Sequence, residues 1–265
     1  MITVQVLISC MHENDFSIVN RTNIQGDAII VNQCDEEKVE KTTMVNKKGN
    51  PFNVVMIYTR ERGLSRSRNM AIKYATADIC LICDDDEFLD DDYVETIQNA
   101  YSEYLEADLM TFIVHYKNKK FASKKKKIGV MGICKTFSVQ ITFKRQSIIK
   151  NGIHFDVQMG SGSGNGAGEE NKFLMDCYRK GLKMLYIPDY IGKVLSANSQ
   201  WNKGSTPQYL SDRGWTIRRT FGFLWGYPFL WYNAMHHMKG YSKDGVKPLS
   251  ILLNMHKGFL RRTNN

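Results

Sequence analysis

The feature that most constrains this chain is a regular exchange between short, strongly apolar stretches and longer amphipathic ones. ITVQVLIS (2–9) alternates and then runs apolar, while DAIIVNQ (27–33) and NVVMIYT (53–59) are apolar enough to be strands buried on both faces. LSRSRNMAIKYATA (64–77) follows with helical spacing: Met70, Ala71, Tyr74 and Ala75 share one side, and Ser65 stands at the N-cap. DICLIC (78–83) is the next strand, DDYVETIQNAYSEYLEA (91–107) the next helix and DLMTFIVHY (108–116) the strand after it. Strands and helices exchanged through short connections predict an α/β fold with a mostly parallel central sheet flanked by helices. At 265 residues the chain is one large domain, or a domain with an extension.

Beyond residue 116 the pattern loosens. KTFSVQITFKR (135–145) alternates like a strand, and the glycine-rich MGSGSGNGAG (159–168) leads into EENKFLMDCYRKG (169–181). That segment reads as a helix with Phe173, Leu174, Cys177 and Tyr178 on one side and Gly181 as its stop. KMLYIP (183–188) is a further strand, and FGFLWGYPFLWY (221–232) is densely aromatic, with a basic tail behind it.

The six cysteines are scattered, and Ile2–Ser9 reads as a strand rather than a secretory leader, so free thiols in a reducing compartment are expected. Cys80 and Cys83 form a lone CxxC inside a strand, where residues three apart point to opposite faces and cannot share a metal. The net charge is +9, much of it from Lys117, Lys119, Lys120 and Lys124 to Lys127. That run is either a solvated loop or an attraction to an anionic surface; no nucleic-acid motif accompanies it.

Chemistry concentrates where the strand at 78–83 ends. Asp84, Asp85, Asp86 and Glu87 follow it at once, at the end of a parallel strand where such sheets bind ligands. Carboxylates this close repel one another unless a positive group sits among them. They are either an acid-rich approach to the next helix, which accounts well for Asp90 to Asp92, or a site for a hard divalent cation, Mn²⁺ or Mg²⁺, holding a diphosphate. Phe88 and Leu89 stand where a calcium-binding EF-hand loop needs other residues. Arg60, Arg62, Arg66 and Arg68 cluster around the start of the helix at 64–77, either to meet phosphate or to face solvent. Gly162, Gly164 and Ala167 have the spacing of a dinucleotide fingerprint, but Glu169 and Glu170 would put two carboxylates against the pyrophosphate. Those glutamates are either helix-end acids or a general base beside a loop that closes over ligand.

The strand ending in Ser9, GLSRSRN (63–69), the DDDE after a buried strand, and GAGEENKFLMDCYRKGLKMLYIP (166–188) together resemble the family 2 glycosyltransferases with the GT-A fold, over roughly residues 2 to 200. The resemblance implies a nucleotide-sugar-binding catalytic domain at 1–200 and a C-terminal extension at 201–265, aromatic, basic and helical. It implies an inverting transferase in which Asp84 and Asp86 match the DxD motif: Asp86 coordinates Mn²⁺ or Mg²⁺, Asp84 contacts the ion's shell or the ribose, and Asp85 lies in the same site. Ser9, Gln33 and Asp35 fall at strand ends facing the nucleotide, with NQCD where the family usually has an acidic pair. Arg66, Arg68 and Asn69 match the segment lining the nucleotide pocket. Glu169 and Glu170 fall on the family's acidic pair, Glu170 being the first choice for the base and Glu169 the second. Many relatives carry a histidine near 194–205; this chain has none there, which leaves any extra metal or phosphate contact to Asn198, Ser199 or nothing.

The expected donor is a UDP-hexose and the expected acceptor a hydroxyl of a glycan or lipid-linked glycan in surface polysaccharide synthesis. The rival readings are a sugar nucleotidyltransferase, which should show a Gly- and Lys/Arg-rich loop where this chain has SCMHENDF, and a non-catalytic binding module with a structural ion. Residues 221–238 are too interrupted by Gly222, Gly226 and Pro228 for a membrane span. They either cap the core or lie in a bilayer interface, with Trp225 and Trp231 at headgroup level and Lys239, Lys243, Arg261 and Arg262 meeting lipid. His236 and His237 read as polar surface residues. The expected place is the cytoplasm, peripheral on the inner face of the cell membrane.

Overall fold

The computed structural model describes residues 2–116, 119–195 and 205–261. Lys117, Asn198, Ser199, Arg262 and the expected boundary at residue 200 lie outside the described residues.

The chain begins with β1 (Val4–Met11), α1 (Ser17–Arg21), β2 (Ala28–Gln33), β3 (Lys38–Val45), β4 (Pro51–Thr59), α2 (Leu64–Tyr74), β5 (Ile79–Asp84), β6 (Glu87–Leu89) and α3 (Tyr93–Glu103). It continues with β7 (Leu109–His115), β8 (Lys126–Lys127), α4 (Val130–Ile133), β9 (Ile141–Lys144), α5 (Arg145–Lys150), α6 (Glu169–Arg179) and β10 (Met184–Val194). Two helices end it, α7 (Pro207–Lys243) and α8 (Pro248–Leu260). The strands form one sheet in the order β3-β4-β2-β1-β5-β9-β7-β10-β6, with β8 against β10.

The expected α/β architecture is present. β4, β2, β1 and β5 run parallel, as do β7 and β10. Their continuous apolar runs are buried on both faces because helices cover both sides. Cys80 and Cys83 in β5 belong to opposite apolar clusters, one under α2 and α6, the other under α3.

Three local expectations are corrected. β3 was not foreseen: it pairs antiparallel with β4 at the sheet edge, and its KVEKTTMV alternates exposed with half-buried residues. A charged edge strand is what keeps a sheet from pairing with other chains, and its composition looks like a loop. The strand expected over 135–145 is a short 3-10 turn at Ser138–Gln140 followed by the four residues of β9, antiparallel to β5 and β7. Ser65 is not an N-cap; Gly63 holds that position, and Ser65 lies inside α2.

The extension is helical. α7 is interrupted at Gly222, whose φ of 78° breaks the helical backbone. Its first half packs across α8 where glycine allows contact of bare backbones: a Cβ on Gly258 would sit 1.7 Å from the Ser211 carbonyl oxygen, and one on Gly214 1.9 Å from that of Met255. Among the described residues no helix is long and apolar enough to cross a membrane.

Candidate active site

Parallel register brings four polar residues to one rim. β1 sets Ser9 opposite Asp84 of β5 and Met11 opposite Gln33 of β2, and β2 sets Gln33 opposite Thr59 of β4. These are carboxyl ends of parallel strands, where the sheet leaves a crevice.

Helix α2 starts at this rim and turns a polar side inward. Ser65, Ser67, Arg68, Ala71 and Ile72 are its buried residues, whereas Tyr74, expected on the apolar face, is exposed. The first turn is stitched to its surroundings: Ser67 Oγ donates to Ser9 Oγ at 2.8 Å, and Ser65 Oγ to the Met159 carbonyl at 2.8 Å. Asn69 accepts from the Phe155 amide at 2.8 Å and donates to its carbonyl at 2.7 Å. Gln33 accepts from the Gly63 amide at 2.7 Å, and Asp35, on the exposed side of the loop, pairs with Arg62 at 2.6 Å. Ser9, Gln33, Asp35 and Asn69 are therefore each tied to the start of α2, to Arg62 or to the Phe155 backbone. Arg66 is exposed, with no hydrogen bond or ion pair among the described residues.

The acidic turn and the helix-end glutamates meet at Arg68. This side chain is 1% exposed. Its Nη2 donates to Asp84 Oδ1 and its Nη1 to Glu169 Oε1, each at 2.9 Å, and its face lies over the Phe155 ring. The positive partner of the cluster inside the protein is thus a guanidinium shared between two carboxylates. Ser138, which sequence patterning placed in a strand, donates to Asp84 Oδ2 at 3.3 Å. Neither Arg68 as a bridge nor Ser138 is visible in the sequence, save for the oddity of polar residues on the buried side of α2.

Asp85 and Asp86 form the turn itself and are exposed. Partial burial and repulsion from Asp84 raise both carboxyls above the usual range. Glu87 does not share the turn. It begins β6, fully buried beside Cys83, and burial raises its pKa well above the ordinary carboxylate value. Among the described residues no three His, Cys, Asp or Glu side chains make a ready metal cage. The two exposed, mutually repelling carboxylates beside Asp84 are nonetheless an all-oxygen set that suits a hard divalent cation completed by ligand oxygens and water.

The glycine loop closes the other side. The Ser161 carbonyl accepts from the Leu64 amide, and Thr216 of α7 donates to the Ala167 carbonyl at 3.1 Å. Gly160 has a φ of 86°, and a Cβ there would press within 3.0 Å of the Glu169 carboxyl carbon. Glu169 is buried and held by Arg68 and by the Gly168 amide. Glu170 is half-buried and has no ion pair among the described residues. Burial and the neighbouring Glu169 charge push its pKa up to about 8. One site therefore offers an occupied carboxylate, a free carboxylate poised near neutrality, an exposed arginine and an acidic turn.

The family model for glycosyl transferase family 2 matches residues 17–163. No curated protein matches the sequence. Among solved structures, S. aureus TarS 1–349 in complex with UDP superposes with a TM-score of 0.59 at 13% identity, covering 84% of this chain and 66% of that one. The complex of TarS 1–349 with UDP-GlcNAc gives 0.58 at 13% identity, covering 82% and 66%. TarS 1–349 alone gives 0.56 at 12% identity, covering 97% and 90%. This chain thus spans 66% of the length of the two ligand-bound chains, and at these identities the likeness is one of fold.

Proposed function

The chain belongs to glycosyl transferase family 2, and on that premise we propose that it is an inverting glycosyltransferase. It moves a hexose from a UDP-sugar to a hydroxyl of a glycan or lipid-linked glycan in surface polysaccharide synthesis. The observation that carries this is the Arg68 bridge: acids from β5 and from the start of α6 are drawn to one buried guanidinium, so both belong to a single site. The UDP and UDP-GlcNAc complexes of TarS support a uridine donor. The free thiols support an enzyme that works on the cytoplasmic side of the cell membrane.

Asp86 and Asp84 would hold Mn²⁺ or Mg²⁺, which supplies charge neutralisation for the leaving diphosphate. Arg66, exposed at the start of α2, binds the phosphates. Ser9, Gln33, Asp35, Asn69 and Asp85 line the nucleotide-sugar pocket. Glu170 is the base: its free carboxylate takes the acceptor hydroxyl's proton as the oxygen attacks the anomeric carbon from the face opposite the diphosphate. Glu169 cannot take that role while Arg68 holds it; it orients Arg68 instead. The transition state carries oxocarbenium character, as in glycoside hydrolysis.

The test is thermal denaturation with UDP, GDP, CDP and TDP, each with and without Mn²⁺, for wild type and Asp86→Ala. A nucleotide at a hundred times its dissociation constant adds about 2.7 kcal/mol of stability. UDP is expected to stabilise wild type only with metal, and the variant not at all. The absence of a shift with every nucleotide would leave the acids as structural groups and remove the transferase reading.

A further inference from the structure

The second half of α7 presents an apolar face that nothing among the described residues covers. After the break at Gly222, Gly226, Leu230, Ala234 and Tyr241 turn inward and are buried. Leu224, Pro228, Trp231 and Met235 recur at intervals of four, three and four residues, which places them in one row on the opposite side. Leu224 is 80% exposed and Met235 68%. Trp225, 77% exposed, and Tyr232 stand beside the row. α8 carries its own exposed row of Leu249, Leu253 and Leu260. Scattered apolar residues are normal on a protein surface; a continuous row of Leu, Pro, Trp and Met marks a contact.

The charge around these helices identifies the partner. Residues 205–261 hold eight Lys and Arg and only two acids, Asp212 and Asp244. Asp212 is engaged by Arg261, and Asp244 accepts from Ser205. Between Arg213 and Lys243 there is no carboxylate, and α8 has none. Lys239 and Lys243 follow the apolar row directly, both exposed. Two copies of so positive an extension repel each other, whereas an anionic surface is attracted. Trp and Tyr among Leu and Met, edged by Lys, is the composition of a helix lying in the headgroup layer of a bilayer.

We propose that the α7–α8 extension seats on an anionic lipid surface, with the Leu224–Trp231–Met235 row in the bilayer interface and Lys239 and Lys243 on lipid phosphates. The seat adjoins the candidate active site through the first half of α7, with the break at Gly222 between them. The first half of α7 binds the glycine loop through Thr216, and Arg219 pairs with Asp156 at 2.5 Å just before that loop. A surface held at one end of α7 therefore sets the direction from which an acceptor reaches Glu170. That last step alone rests on the transferase reading; surface binding does not.

The test is co-sedimentation of the full chain, without nucleotide, with vesicles of phosphatidylcholine alone or mixed with phosphatidylglycerol. Binding to the mixed vesicles is expected, with weakening in high salt. Trp225→Ser/Trp231→Ser and, separately, Lys239→Glu/Lys243→Glu should each reduce binding at least ~10-fold. These side chains are exposed, so their melting temperatures should match wild type; Leu224→Glu, two turns away from Trp231, provides the same test should either pair misfold. Equal binding to both vesicle types overturns the proposal. So does a chain that ignores vesicles and sediments as a dimer dispersed by Trp225→Ser/Trp231→Ser, since the row would then be a self-interface. Because no nucleotide is present, failure here leaves the diphosphate result standing, and the reverse also holds.

Discussion

Arg68 and Glu169 lie 101 residues apart in sequence, and their side chains meet at 2.9 Å in a place almost sealed from water. A guanidinium buried this way is tolerated only because carboxylates face both its ends. Asp84 supplies the second, so the acidic turn and the start of α6 are held at a set separation by one side chain.

Removing that side chain should be expensive. Arg68→Met leaves Glu169 buried without its cation, and breaking a buried pair from one side costs about 3–5 kcal/mol. Urea denaturation measures it. Arg68→Lys should recover only part, because one ammonium cannot reproduce the two-ended fork. Wild-type stability in Arg68→Met would show that the bridge does not form.

The two glutamates should separate cleanly by assay. Glu170→Gln is expected to reduce turnover by about 10²- to 10⁴-fold while leaving nucleotide binding intact. Glu169→Gln is expected to lower the melting temperature instead, since it takes a charged partner from Arg68. Turnover with the suspected donor, read beside thermal denaturation, distinguishes them. The opposite pattern would move the base to Glu169.

Stability should fall with rising pH through the Glu170 titration. In the unfolded chain a glutamate titrates near its ordinary value of about 4.3. In the fold Glu170 titrates at about 8. Between those values the folded protein holds a proton that the unfolded chain has released. Its contribution is therefore full below the lower value and is lost as pH rises through the upper one. Urea midpoints across this range should decline less steeply for Glu170→Gln than for wild type. Turnover should rise over the same interval, because a base must be unprotonated to act.

The glycine crossing of α7 and α8 offers a control outside the candidate catalytic residues. Gly258→Ala would push a methyl group to 1.7 Å from the Ser211 carbonyl, so the helices must separate. A cost of about 1–3 kcal/mol is typical of overpacking and appears as a lower melting temperature. The UDP-dependent shift should survive in the folded fraction.

Much of the architecture was legible in the residues alone. The apolar runs of β1, β2, β4, β5 and β7 and most of the amphipathic spacing of α6 are local signals, although Tyr178, expected on its apolar side, is exposed and Met175 is buried instead. The turn after β5 announced itself because Asp84, Asp85 and Asp86 interrupt an apolar run. Gly181 stops α6 in the left-handed conformation that its position suggested. β3 was missed because an edge strand of Lys, Glu and Thr has no apolar run to betray it. The strand expected over 135–145 is interrupted because Ser138 and Gln140 belong to a turn that serves Asp84 and the Phe112 carbonyl, which periodicity cannot register.

The sequence by itself determined the α/β order of elements and the carboxylates available for chemistry, since both depend on neighbours within a few positions. Only the tertiary structure decided which carboxylate is held and which is free. Adjacent helical residues such as Glu169 and Glu170 point about 100° apart, and which of them meets a cation depends on where packing delivers Arg68. The same holds for α2, whose polar side faces inward because the rim of the sheet, and not an apolar core, lies beneath its first turn.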